Sequence, residues 1–294
     1  MKMKIITLKA NAKINWTLDI TGRREDGYHL MDSLMQHVNL SDKITVTGQS
    51  KGISLQISPS ILPKDERNIA WKAATLFFSY TGIDSGCIIK LTKHIPVCAG
   101  MGGGSADAAG VLFALNQLYE TCLSTKELAA LALKLGADVP YMLADGLVRA
   151  KGIGEILEPL SCSQHYHLLG VTPGRGASTK EIFTVFDSQE KSNTPQTEKM
   201  ISALSSGDLE QFSHYMGNVL QPVTEGLIPG IRSLEELLLA NGAKAAAMTG
   251  SGSCVFGVYS SEDDAKLAAQ IIPPSLWHRV FSTCEKGIEI IGTK

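Results

Sequence analysis

Between Ile95 and Ala109 the chain reads Ile-Pro-Val-Cys-Ala-Gly-Met-Gly-Gly-Gly-Ser-Ala-Asp-Ala-Ala, with four glycines, a serine and an aspartate between a strand-like and a helix-like segment. This composition suits a phosphate cradle. Glycine accepts positive φ and lets backbone N–H groups approach a ligand, while the helix that follows turns unpaired N–H groups and its positive dipole end toward an anion. Apolar spacing predicts that helix over Ser105 to Leu118, so the glycines gather at its N-terminus, which favours an anion site over a plain surface turn. Other owners of glycine-rich runs fit less well. A P-loop needs a Gly-Lys-Ser or Gly-Lys-Thr step, and the chain has neither. Gly100, Gly102 and Ser105 nearly match a dinucleotide fingerprint, but Lys90-Leu91-Thr92-Lys93-His94 before them is not a wholly apolar strand. A nucleophile elbow would require glycine where Asp107 stands.

Three other places carry chemistry. From Ala12 to Ile20 the residues alternate, Ile14, Trp16, Leu18 and Ile20 against Lys13, Asn15, Thr17 and Asp19, which predicts a half-buried strand on which Lys13 and Asn15 point the same way. Asp138 lies in Gly136-Ala137-Asp138-Val139-Pro140, just past a helix; it reads as a general base aimed into a cleft or as an ordinary turn or capping aspartate. Thr249-Gly250-Ser251-Gly252-Ser253 is a second glycine-rich turn.

The elements that must position these groups are of mixed type. A turn-rich charged segment, Gly22 to His29, follows the first strand, and short strands are predicted over Lys43–Thr47 and Ile53–Ser58. A helix covers Glu66 to Tyr80, and Cys87–Lys93 is the strand feeding the glycine run. The capping box Ser124-Thr125-Lys126-Glu127 opens a helix that ends at Gly136. A break near Pro159 to Gln164 divides the chain into domains of 1–163 and 164–294. The second half carries helices over Thr197–Leu204, Ile231–Ala240 and Glu262–Ile271, and strands over Tyr166–Thr172, Ala245–Met248, Cys254–Tyr259 and His278–Cys284. The class is α+β.

Composition narrows the function. The 294 residues hold 27 Lys and Arg against 29 acidic residues, so the basic excess of a nucleic-acid binder is missing. Six cysteines, at 87, 98, 122, 162, 254 and 284, form no C-x-x-C pair and read as small buried residues of a reducing compartment, with no zinc site. Neither a signal-peptide core nor a membrane-length apolar run is present, so the expected location is the cytoplasm, with no membrane partner. The sequence gives no sign of an obligatory protein partner.

A lysine-bearing first strand, P-x-x-x-G-x-G-G-G-S-[SA] in the middle and a Gly-Ser-Gly turn near the end resemble the three motifs of the galactokinase, homoserine, mevalonate and phosphomevalonate (GHMP) kinase superfamily. The resemblance extends along nearly the whole chain through Ala12-Lys13-Ile14-Asn15, Thr21 to His29 and Leu135 to Pro140. Met101, where leucine is usual, and Ala106, in place of a frequent second serine, depart from it without removing a backbone donor. It implies a ribosomal-protein-S5-like ATP-binding domain followed by a ferredoxin-like α/β sandwich domain, with the active site between them. It also implies transfer of the γ-phosphoryl of ATP to the 2-hydroxyl of 4-diphosphocytidyl-2-C-methyl-D-erythritol, in the non-mevalonate route to isoprenoid precursors.

The implied roles are specific. Asp138 is the base and Lys13 the electrostatic stabiliser. Pro96, Val97, Cys98, Ala99, Gly100, Met101, Gly102, Gly103, Gly104, Ser105 and Ala106 hold the triphosphate. Magnesium arrives with ATP, and no carboxylate ligand for it is nominated. Asn68 lies near the adenine or is a helix N-cap. Asn15, Tyr28, His29, Thr179, Phe183, Ser251 and Gly252 face the acceptor, with Tyr28, His29 and Phe183 walling the cytosine. Taken alone, Lys13 would be a solvated strand lysine, Tyr28 and His29 loop anchors, and Phe183 a core residue. A nicotinamide-dependent oxidoreductase and a non-catalytic nucleotide-binding protein are the rival classes. The pairing of Lys13 with Asp138 disfavours the second.

Overall fold

The computed structural model describes residues 4–59, 62–176, 178–188 and 194–293. Its first sheet has eight strands and is built around a hairpin of two long ones, β1 (Ile5–Arg23) and β2 (His29–Gln49). β3 (Gly52–Ser58), helix α1 (Ile69–Thr81) and β4 (Gly86–Thr92) follow, with β4 antiparallel to the second half of β2 and parallel to β3. Helices α2 (Gly103–Leu118), α3 (Thr125–Leu133) and α4 (Val139–Met142) come next. The hairpin of β5 (Leu147–Gly152) and β6 (Ile156–Leu160) then pairs with the first half of β2.

After β7 (His167–Val171) the chain forms α5 (Thr179–Phe186), α6 (Thr197–Ser206), α7 (Phe212–Tyr215), the two-residue β8 (Gly217–Asn218), α8 (Gln221–Leu227) and α9 (Ile231–Ala240). It closes with β9 (Ala245–Met248), β10 (Val255–Tyr259), α10 (Glu262–Ala269), β11 (His278–Ser282) and β12 (Ile288–Thr293). The second sheet is antiparallel in the order β11-β7-β10-β9. Two elements of the second half pair with β1 in the first sheet instead: β8 over Thr17 and Leu18, and β12 over Ile6 to Ala10.

β1 therefore belongs to both hydrophobic cores. Leu8, Ala12, Ile14 and Trp16 enter one, while Leu18 and Ile20 enter the other. The expected half-buried strand is buried on both faces, with Lys13 and Asn15 each 2% exposed and Thr17 fully buried. Alternation locates one apolar face, but it does not report what covers the polar one. Trp16 ties the halves together, with the rings of Tyr166, Phe212 and Phe256 edge-on at 5.5, 5.5 and 5.8 Å.

Most predicted elements form within a few residues of their expected bounds, including the Ser124–Glu127 capping box. The cysteines do not follow expectation: only Cys87 and Cys254 are buried, and Cys98 and Cys122 are exposed in loops at φ 53° each. No helix among the described residues is long and apolar enough to cross a membrane.

Candidate active site

The glycine run becomes a loop from Pro96 to Gly102 and the first turn of α2. Val97, Cys98 and Gly104 face outward, while Ala99, Met101 and Ala106 are buried. Backbone hydrogen bonds fasten the loop on both sides. Lys13 N–H donates to Met101 O at 3.0 Å, and Cys254 N–H donates to Ala99 O at 3.1 Å. Gly100, at φ 75°, lies so close to the second glycine turn that a Cβ there would stand 2.0 Å from Thr249 O. Gly102 takes φ 72° at the N-cap of α2, and a Cβ on it would meet the Met142 side chain at 2.1 Å and Lys13 Cγ at 3.2 Å. No side chain caps α2, so its first-turn N–H groups and dipole are left to an anion, as the phosphate reading requires.

Lys13 reaches from β1 beneath this turn. Its Nζ donates to Asn15 Oδ1 at 2.5 Å and stands 3.9 Å from Asp138 Oδ2. Burial lowers the Lys13 pKa, and Asp138 pulls it back up. An ammonium held here is only partly compensated by the protein, so added negative charge in the cleft stabilises it. Asp138 occupies the N-cap position of α4 but makes no capping hydrogen bond. Its side chain is 32% exposed. The capping alternative for Asp138 thus fails, and the carboxylate is free to face Lys13 and the cleft.

Asn15 was expected to contact the acceptor, but both ends of its amide are engaged inside the protein. Oδ1 also accepts from Thr249 Oγ1 at 3.1 Å and Gly250 N–H at 2.9 Å, while Nδ2 donates to Ser33 Oγ at 2.8 Å. It positions Lys13 against the second glycine turn. Asn68 is the N-cap of α1: Oδ1 accepts from Ala70 N–H and Nδ2 donates to Pro63 O, both at 2.9 Å. With both ends used, its side chain is not free to read an adenine edge.

The acceptor end lies between the β1–β2 turn and α5. His29 stacks on Phe183 with ring centroids 4.6 Å apart, and His29 Nε2 lies 2.6 Å from Asp187 Oδ1. That spacing leaves no slot for a base between His29 and Phe183, contrary to the expected walls. Tyr28, 58% exposed, is the free aromatic surface beside them. Thr179 Oγ1 and Ser251 Oγ share a hydrogen bond of 2.9 Å, which brings α5 to the second glycine turn. Gly252 N–H donates to Thr249 O at 3.0 Å inside that turn.

Several positioning residues escaped the sequence reading. Lys93 Nζ pairs with Asp107 Oδ2 at 2.5 Å and also with Asp42, bracketing the glycine run from below. Burial pushes the Asp107 carboxyl up, against the pull of Lys93. The signal was Lys93 itself, three residues before Pro96 and just past the end of β4. Thr249, a partner of both backbone and side chain of Asn15, stood at the edge of a turn read only for its glycines.

Comparison with known proteins follows this geometry. The model of the GHMP kinases N terminal domain matches residues 68–146, and that of the GHMP kinases C terminal domain matches residues 200–278. Together they span more than half of the chain. The chain belongs to the GHMP kinase family. The kinase is 40% identical over 263 residues to a 4-diphosphocytidyl-2-C-methyl-D-erythritol kinase of Clostridium botulinum, covering 90% of this chain and 92% of that protein. It is 41% identical over 264 residues to a protein of the same name from Clostridium kluyveri, covering 90% and 93%. A crystal structure of 4-(cytidine 5'-diphospho)-2C-methyl-D-erythritol kinase superposes on it with a TM-score of 0.82 at 32% identity, covering 95% of this kinase and 99% of that chain. Homoserine kinase from Cytophaga hutchinsonii shares the fold at a TM-score of 0.76 and 20% identity.

Proposed function

We propose that this kinase transfers the γ-phosphoryl of ATP to the 2-hydroxyl of 4-diphosphocytidyl-2-C-methyl-D-erythritol, giving the 2-phosphate and ADP in the non-mevalonate route to isoprenoid precursors. The observation that carries the chemistry is the buried Lys13 ammonium, 3.9 Å from the cleft-facing Asp138 carboxylate and directly beneath the glycine-led N-terminus of α2. Asp138 takes the proton of the attacking hydroxyl. The acceptor oxygen bonds to the γ-phosphorus as its bond to the bridging oxygen breaks, and ADP leaves with that electron pair. Lys13 and the uncapped N–H groups of α2 stabilise charge that spreads over the phosphoryl oxygens.

Magnesium fits this arrangement as a phosphate-borne ion. Among the described residues no group of three His, Cys, Asp or Glu could hold a metal, whereas Mg²⁺ characteristically keeps waters and takes one or two protein oxygens beside substrate phosphates. The Ser105 hydroxyl, on the first turn of α2, is the protein oxygen that would help hold it beside the phosphates. When bound it neutralises phosphate charge.

The acceptor assignment rests on the aromatic group at the far end of the cleft together with the relatives above. Tyr28 and the stacked His29–Phe183 pair offer ring faces to a pyrimidine, with Thr179, Ser251 and Gly252 between them and the phosphate end. The test is ADP release with three acceptors: the cytidylyl substrate, mevalonate and homoserine. Turnover with the first alone is expected. Faster turnover with mevalonate or homoserine overturns the assignment.

A further inference from the structure

His37 is fully buried and takes no part in the chemistry above, yet it holds the short helix that presents Asp138. In the β1–β2 pairing it stands directly opposite Lys13, so both side chains rise from the same face of the sheet. Lys13 reaches the start of α4. His37 reaches its middle and the turn that follows it: its ring stacks on Tyr141, centroids 4.5 Å apart and 11° from parallel, and its Nε2–H donates to Ala144 O, two residues past the helix, at 3.0 Å. Met142, the last residue of α4, packs toward Gly102. Four residues of α4 therefore touch the base position, the imidazole and the glycine loop in turn.

The segment before β12 closes over the other side of His37 through backbone hydrogen bonds. Cys284 N–H donates to His37 O at 2.9 Å, Gly146 N–H to Glu285 O at 2.5 Å, and Asn11 N–H to Gly287 O at 2.8 Å. Gly287 fits there because it has no side chain. A Cβ would lie 2.6 Å from Ala144 O, 2.8 Å from His37 Nε2 and 2.9 Å from Met142 O. His37 Nδ1 meets no hydrogen-bond partner. The Ala12 and Tyr141 carbonyls nonetheless lie close enough to the ring to favour its protonated form. Burial lowers the imidazole pKa to about 4, with Ala144, Asp145 and other neighbours resisting, so the ring is neutral near pH 7 and adds no charge beside Lys13.

We propose that His37 is a positioning residue for phosphoryl transfer, fixing α4, and with it Asp138, against Lys13, and that Gly287 supplies the clearance this contact needs. The inference rests on the reading of Asp138 as the base. A misplacement of about 1 Å at a reacting group costs on the order of 10²-fold in rate, so the effect falls on kcat and leaves substrate binding alone.

The experiment measures kcat and both KM values per folded molecule for four variants beside wild type. His37→Phe keeps the stack and removes the donor; its kcat is expected to fall about 10-fold or more with both KM values within about twofold. His37→Gln, whose amide can donate to Ala144 O, is expected to recover most of that loss. Gly287→Ala, which attacks the same contact from a distant part of the chain, should reproduce the His37→Phe signature and decides the matter if His37→Phe does not fold. Wild-type kcat in folded His37→Phe or in Gly287→Ala overturns the proposal, as does a change confined to KM or a His37→Gln variant as slow as His37→Phe. Asp138→Asn separates the two levels of the argument. If it retains turnover, the base assignment falls and this inference with it; if it is inactive while His37→Phe is not, this inference alone falls.

Discussion

At the phosphate end of the cleft Lys13 and Asn15 are each 2% exposed and tied into a closed set of hydrogen bonds with Thr249 and Gly250, whereas at the aromatic end Tyr28 is 58% exposed. The two ends ask different things of the chain. Transferring a phosphoryl group needs charges fixed in place before the substrate arrives, because a dipole that must reorganise during reaction gives back what it gains. Recognising a flat base needs area and orientation, which half-exposed rings supply at low conformational cost. Fixed geometry is obtained here by close approach to glycine backbone: Gly100 against the backbone of Thr249 at one crossing and Gly102 over the Lys13 side-chain stem at the other. Among the described residues the aromatic end is joined through side chains, by the His29–Phe183 stack and the contacts of Arg23 and His29 with Asp187.

If this contrast is correct, substitutions at the two ends separate in kinetics. Lys13→Ala should give the larger effect, a loss of roughly 10²–10³-fold in kcat with both substrates still bound, the scale of removing one preorganised charge-stabilising group. Binding measured by calorimetry together with steady-state turnover checks this, and near-normal turnover would remove Lys13 from the transition state. Phe183→Ala should act on the other constant. Loss of one ring face is worth about 1–3 kcal/mol per stacked base, which corresponds to roughly 5- to 150-fold in KM for the cytidylyl acceptor, with KM for ATP unchanged. A Phe183→Ala enzyme with an unaltered acceptor KM places the base elsewhere, and one with a reduced kcat alone dissolves the distinction between the two ends.

How much of this was legible in the sequence follows the same division. The glycine run, the capping box at Ser124 and the helices Ile231–Ala240 and Thr197–Leu204 are local signals, set by residues within a few positions of one another, and they formed close to where the spacing put them. The returning strand β12 was not foreseen, because Ile288 to Thr293 carries only a short and exposed apolar pattern and its partner lies at the other end of the chain. The burial of Lys13 was hidden for a related reason: the alternation of β1 names its polar face, but the cover on that face comes from α2, α4 and the second glycine turn. Asn15 and Asn68 show the limit on the chemical side. Asn15 was expected to face substrate and Asn68 either to lie near the adenine or to cap a helix; both have their amides engaged by the protein, a matter of distant partners such as Thr249 and local ones such as Pro63. His37 gave no sequence signal at all, since a lone histidine on a strand is unremarkable until Tyr141 and Gly287 are seen against it.

The central claim, that a preset Lys13–Asp138 pair beneath the glycine loop performs the transfer, is tested most directly by single-turnover rapid quench of Asp138→Asn with ATP and the cytidylyl acceptor at saturation. The account predicts that both substrates bind as in wild type while the rate of phosphoryl transfer falls by roughly 10²-fold or more, the scale of losing a general base. Transfer at close to the wild-type rate in a fully bound complex would contradict it.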